Sequence, residues 1–275
     1  MNTIVVPTDL GPETDIALSV AVDLARTYRS TILLLHSVVY PIPMPIYAEA
    51  TTTTVGRTVE DYQEIEREAK ARLEQFAANS QYKNVTIVPT LLTNGQGLIH
   101  NVTDAPADLI VMTSEGASGL EEWLVGSNAE SIVRFAHCPV LILKKPISHF
   151  QPENIVYAID VDDRLKADRH YPFQMGEHGL RQFLYVLTPT DSRVPEGIRD
   201  WVNGYATGKG ITEFTCTIRK AKDVPEGIID YADEVNADLI VLFTHGYKGL
   251  RHFLSGSVAE DVLNHTARPV LVMRV

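Results

Sequence analysis

Short apolar runs alternate with amphipathic stretches from the first residues onward. Thr3–Asp9 is an apolar run closed by Pro7-Thr8-Asp9, the pattern of a buried strand. Gly11-Pro12-Glu13 then opens a helix with Ile16, Val20 and Leu24 on one face. Thr31–Val38 is a second, nearly continuous apolar strand. Pro41, Pro43 and Pro45 exclude both helix and ladder from the next segment, a loop that runs on through Thr51–Thr54. Thr58–Ala78 is a helix: Val59, Tyr62, Ile65, Ala69, Leu73 and Phe76 recur at spacings of three and four. Its wet face carries Glu66/Lys70 and Glu68/Arg72, spaced for i,i+4 ion pairs. Asn84–Leu92 is a third strand, Gln96–Thr103 a short helix and Asp108–Thr113 a fourth strand. Ser127–His137 is a helix and Pro139–Leu143 the last strand. Strands alternating with helices predict a parallel, right-handed, doubly wound sheet. Ligands of such sheets sit beyond the carboxyl ends of the strands, where Asp9, Val38 and Thr113 lie.

The pattern then repeats. Ala107–Lys145 and Ala237–Val275 align without a gap at an offset of 130, with 16 identities in 39 positions. Gly97-Leu98-Ile99 faces Gly227-Ile228-Ile229 at the same offset. Ile4–Asp9 resembles Ile155–Asp160 at an offset of 151, so the second copy is about twenty residues shorter in between. Its segment Asp162–Gln182 carries Pro172, Gly176 and Gly179 and makes a poor first helix. Pro146–Pro152, with two prolines and no period, reads as a linker. A period this long signals duplication of a whole domain rather than a solenoid. The expected domains are 1–146 and 152–275, the second shortened and diverged.

Candidate chemistry lies after the fourth strand. Gly116 and Gly126-Ser127 recur as Gly246 and Gly256-Ser257, with nine residues between the glycines in each copy. Glycine permits positive φ and close approach of backbone to phosphate. A helix opening at Ser127 or Ser257 offers free N–H groups and a positive dipole end to an anion. Ser127–Glu130 and Ser257–Glu260 also read as capping boxes, which by themselves account for both serines.

With its opening strand ending Pro7-Thr8-Asp9, Leu34-Leu35-His36-Ser37-Val38, the Gly-nine-Gly-Ser loop and the closing Cys138-Pro139-Val140-Leu141, the chain resembles the universal stress protein family. The resemblance implies two tandem Rossmann-like or flavodoxin-like domains with five-stranded parallel sheets. It also implies pairing through Pro139–Leu143 and Pro269–Met273 as an intramolecular pseudo-dimer. Members that bind ATP carry a further glycine three residues before the first one here. Thr113 and Phe243 stand at that place, each putting a Cβ where a ligand would pass. The resemblance makes ATP or AMP the expected ligand of the first copy, through Pro7, Thr8, Asp9, Val38, Thr113, Gly116, Gly126, Ser127 and Asn128. Asp160, Gly246, Gly256, Ser257 and Val258 form the weaker counterpart in the second copy.

Composition narrows the alternatives. A formal net charge of −11 argues against a nucleic-acid surface and an anionic membrane, though not against a single nucleotide. No stretch is apolar enough to span a membrane, and the opening residues lack a basic leader pattern, so a cytoplasmic protein is expected. Cys138 and Cys216 read as small buried or half-buried residues in a reducing compartment. His170, His178, His245, His252 and His265 show no metal-ligand spacing, so no metal is expected. Trp123 and Phe253 are expected to anchor the two glycine loops by packing. The expected function is nucleotide-linked sensing or regulation in a stress response, with a protein-interaction scaffold as the alternative. No general base is evident, so any enzymatic activity would be at most weak ATP hydrolysis or autophosphorylation. A homodimer of whole chains is left open.

Overall fold

The computed structural model describes residues 1–40, 59–114, 126–166, 179–244 and 258–274. Its first half runs β1 (Thr3–Pro7), α1 (Thr14–Tyr28), β2 (Thr31–Ser37), α2 (Val59–Ala77), β3 (Thr86–Leu92), α3 (Leu98–Asp104), β4 (Leu109–Thr113), α4 (Ser127–Phe135) and β5 (Val140–Leu143). The second half runs β6 (Asn154–Ala158), β7 (Leu180–Leu187), α5 (Pro195–Gly208), β8 (Thr215–Lys220), α6 (Val224–Glu234), β9 (Leu239–Thr244), α7 (Val258–His265) and β10 (Val270–Arg274).

All ten strands join one sheet in the order β3-β2-β1-β4-β5-β10-β9-β6-β7-β8. Each half therefore has the order 3-2-1-4-5 in its own strands, and every pairing within a half is parallel. The halves meet where β5 and β10 pair antiparallel, with Val140, Leu141 and Ile142 facing Val272, Leu271 and Val270. These residues are almost wholly buried, as a central strand covered on both faces requires.

The predicted elements form within one to three residues of their expected bounds. Helix α1 buries Ala17, Leu18 and Ala21 against the sheet, where they join Ile4, Val6, Leu109 and Val111 in one core cluster. On α2, Ala69 and Leu73 are buried while Glu68 and Lys70 face water, as the period predicts. Its expected i,i+4 ion pairs do not form. Glu66 instead accepts the Tyr40 hydroxyl, and Arg72 Nε donates to the carbonyl of Leu10 at 3.3 Å. Both side chains find tertiary partners that a helix-only reading cannot see. The proline-containing loop at 41–58 lies outside the described residues.

The expected linker is anchored as well as connecting. Phe150 is 5% exposed and packs into the same cluster as α1, while its N–H donates to Asp23 Oδ2 at 2.8 Å. In the second half, no α1-like helix follows β6 among the described residues. A single 3₁₀ turn, Asp163–Lys166, follows it.

Candidate functional site

The strand order reverses direction between β1 and β4, so the crevice beyond their carboxyl ends is the place a doubly wound sheet offers a ligand. A cavity of about 160 Å³ lies there. It gathers Pro7, Thr8 and Asp9 from the end of β1, Thr113 from the end of β4, and Gly126, Ser127 and Asn128 from the start of α4. Seven of the residues singled out from sequence thus line one space. Val38 does not line it: its side chain is 8% exposed, and its N–H donates to the carbonyl of Leu92. Gly116, Gly246, Gly256 and Ser257 lie outside the described residues, as do Trp123, Phe253, His170, His178, His245 and His252.

The floor of the cavity is a tightly bonded turn. Thr8 Oγ1 lies 2.6 Å from Thr14 Oγ1 and accepts the N–H of Leu10 at 2.8 Å. Leu10 is held at φ +67°, a left-handed conformation that a side chain adopts only where its surroundings enforce it. His36 Nδ1 is 2.7 Å from the carbonyl oxygen of Thr8 and ties β2 to the same turn. Thr8 is 3% exposed, so its hydroxyl braces the turn while its neighbours face the cavity. Asp9 is exposed, and its Oδ1 accepts the N–H of Gly11 at 2.8 Å.

Facing this turn are the end of β4 and the start of α4. Gly126 N–H donates to the carbonyl of Ser114 at 2.8 Å, and a Cβ on Gly126 would sit 3.2 Å from that oxygen. Its φ of −61° is open to any residue, so close approach of backbone, rather than positive φ, explains this glycine. Gly126 is also the N-cap of α4: its carbonyl accepts the N–H of Glu130. Ser127 is therefore the first helical residue, and the expected Ser127–Glu130 capping box is not formed. The hydroxyl of Ser127 and the side chain of Asn128 are exposed at the cavity, with the unbonded N–H groups of the first helical turn beside them.

Sequence reasoning missed Glu13, Thr14, Ala17, Leu98, Met112, Ser114 and Ala129, which complete the lining. Glu13 had a signal, since it stands at the opening of the predicted first helix. Its Oε2 is cut off from solvent and has no hydrogen-bond partner.

The second half is built differently. Asp160 matches Asp9 but faces Arg193 at 3.7 Å, and Arg193 also pairs with Asp191 and packs over the Tyr185 ring. A larger cavity, about 730 Å³, lies beside α6 and α7 and reaches past the ends of β7 and β8 through Thr188, Thr190 and Lys222, but its lining does not include the ends of β6 and β9 at the switch point. Asp223, Glu226, Asp230 and Asp261 line it together with Lys222, His265 and Val258. Size favours this second cavity, but position at the switch point favours the first. Four carboxylates against two basic groups also make the larger one a poor host for phosphate. Among the described residues no group of three His, Cys, Asp or Glu is placed to hold a metal. Both cysteines are free, and burial pushes the Cys138 thiol up to about 12, away from reactivity.

Fold and site together define a duplicated, doubly wound α/β protein with a cavity at the switch point of its first half. The model of the universal stress protein family matches residues 1–144 and 206–274, and the chain belongs to that family. A universal stress protein of Methanocaldococcus jannaschii is 29% identical over 144 residues, covering 52% of this chain and 82% of its own. One from Mycobacterium tuberculosis H37Rv is 25% identical over 255 residues, covering 85% of this chain and 82% of its own. In fold, the chain is similar to the crystal structure of a universal stress protein from Archaeoglobus fulgidus, with a TM-score of 0.69 at 19% identity. That match covers 99% of this chain and 96% of that one. No helix among the described residues is long and apolar enough to cross a membrane.

Proposed function

We propose that the first half binds an adenine nucleotide, ATP or AMP, in the cavity between β1 and β4. On this reading the chain acts in the cytoplasm as a sensor or regulator in a stress response. The second half, from 152 to 275, is mainly a structural partner to a unit spanning 1–146. The observation that carries the reading is convergence on one cavity: Pro7, Thr8 and Asp9 meet Gly126, Ser127 and Asn128 at the switch point. The start of α4 supplies donors and a positive dipole end for a phosphate. Leu98, Met112 and Ala129 give the apolar wall that a sugar or base needs.

Isothermal titration calorimetry with AMP and ATP tests this. Wild type should bind at least one of them, and Asp9→Ala should weaken binding about tenfold while Asp160→Ala leaves it unchanged. No heat at millimolar nucleotide would remove the reading. It would favour an interaction scaffold, a role supported by Thr113 in place of a glycine.

A further inference from the structure

We propose that Glu13 makes the first-half cavity select a nucleoside or nucleoside monophosphate over a nucleoside triphosphate; this rests on the nucleotide reading of that cavity. Glu13 ends the β1–α1 turn and is the N-cap of α1, so its backbone is fixed by the helix that follows. Its carboxylate lines the cavity, with Oε2 shielded from water and unpartnered. A buried acceptor in that condition is costly until something donates to it. A sugar hydroxyl or an amine donates; a phosphate oxygen does not.

Charge points the same way. Among the described residues the lining contains two carboxylates, Asp9 and Glu13, and no lysine or arginine. Its positive feature is the start of α4, equivalent to roughly half a unit charge. That suffices to seat one phosphate. Each further phosphate adds negative charge beside Asp9 and Glu13 without a matching cation among the described lining residues. Volume agrees: about 160 Å³ lies below the ~300–1,000 Å³ of ordinary ligand pockets.

The test is calorimetry of the whole chain with AMP, ADP and ATP in buffer containing EDTA, for wild type and the isosteric Glu13→Gln. Thermal melting confirms that the variant is folded. Wild type should bind AMP at least tenfold more tightly than ATP. Glu13→Gln should lower that ratio at least fivefold, chiefly by gaining ATP affinity. Equal or tighter binding of ATP by wild type would overturn the inference and leave the nucleotide reading standing. So would an AMP preference that Glu13→Gln leaves untouched. If wild type binds none of the three, the nucleotide reading fails and this inference falls with it.

Discussion

At the end of β1 the chain turns through Thr8–Glu13 straight into a fifteen-residue helix, and the turn is bonded at nearly every residue. At the end of β6 the matching turn meets Asp160, Asp162 and Asp163 and then a single 3₁₀ turn. The same β-strand frame thus ends in a braced cavity floor in one half. In the other it ends in an acidic turn whose first carboxylate is taken up by Arg193. Helix α1 is what separates them. It supplies Glu13, Thr14 and Ala17 to the first cavity, and no helix among the described residues supplies a counterpart in the second. Duplication preserved the sheet because both faces of its central strands are buried; the loops beyond the strand ends were free to diverge.

Glycines offer the sharpest way to break this comparison. In the first half, Ser30 precedes β2, and its hydroxyl donates to the carbonyl of Met1 at 2.9 Å. Register puts Gly179 at the same place before β7, where a Cβ would lie 2.1 Å from the carbonyl oxygen of Glu153. The starts of β6 and β7 are therefore closer to each other than side chains permit. Gly179→Ala should cost about 3 kcal/mol, at the upper end of overpacking effects, read as a lowered urea midpoint. Ser30→Ala loses one hydrogen bond and should cost about 1 kcal/mol. Equal costs would show that the two strand pairs are spaced alike.

A smaller contrast comes from Gly97 and Gly227, which align in sequence but differ in place. Gly97 is the N-cap of α3, and a Cβ there would meet nothing within 4 Å. Helix α6 starts earlier, so Gly227 lies inside it, with a Cβ only 2.6 Å from Val186 Cγ1 and 2.9 Å from Ala221 Cβ. Gly227→Ala should cost about 2 kcal/mol, because overpacking outweighs the gain in helix propensity. Gly97→Ala should cost only about 0.5 kcal/mol, the loss of a preferred N-cap residue. Chemical denaturation of both variants measures the difference. A neutral Gly227→Ala would mean that α6 does not press on β7.

Much of this was legible in the sequence, for identifiable reasons. Apolar runs such as Ile4–Val6 and Leu109–Met112 are buried on both faces, so they announce strands without help from context. In the second half the breakers Pro172 and Gly176 lie outside the described residues, and the 3₁₀ turn Asp163–Lys166 before them is all that bears on the expected poor first helix. The first capping box was misread because Ser-x-x-Glu does not say whether the serine or the residue before it ends the extended backbone; Gly126 does so here. Glu13 was missed as a cavity residue because an acid opening a helix already has an ordinary explanation in the dipole. Only the approach of α4 to the β1–α1 turn places its carboxylate in a cavity. Phe150 was hidden in the same way, since its burial depends on α1 folding over the linker.

The smallest expected effect concerns pH and belongs to the second half alone. Register places Tyr185 of β7 opposite the role of His36 in β2. His36 bonds backbone, whereas the Tyr185 hydroxyl donates to Asp191. That hydrogen bond, then the N–H of Arg193, then the Arg193 charge hold the Asp191 carboxyl below its ordinary value of 3.8, against partial desolvation. A carboxyl whose pKa is depressed in the folded state stabilises that state above the unfolded value and loses its contribution as pH falls through the folded one. The window therefore opens just below pH 3.8 and runs downward. Asp191→Asn keeps the shape and removes the titration. Its urea midpoint should lie slightly below that of wild type at pH 7, and the gap should narrow as pH is lowered below 3.8. A gap that persists unchanged in acid would assign the role of Asp191 to packing rather than charge.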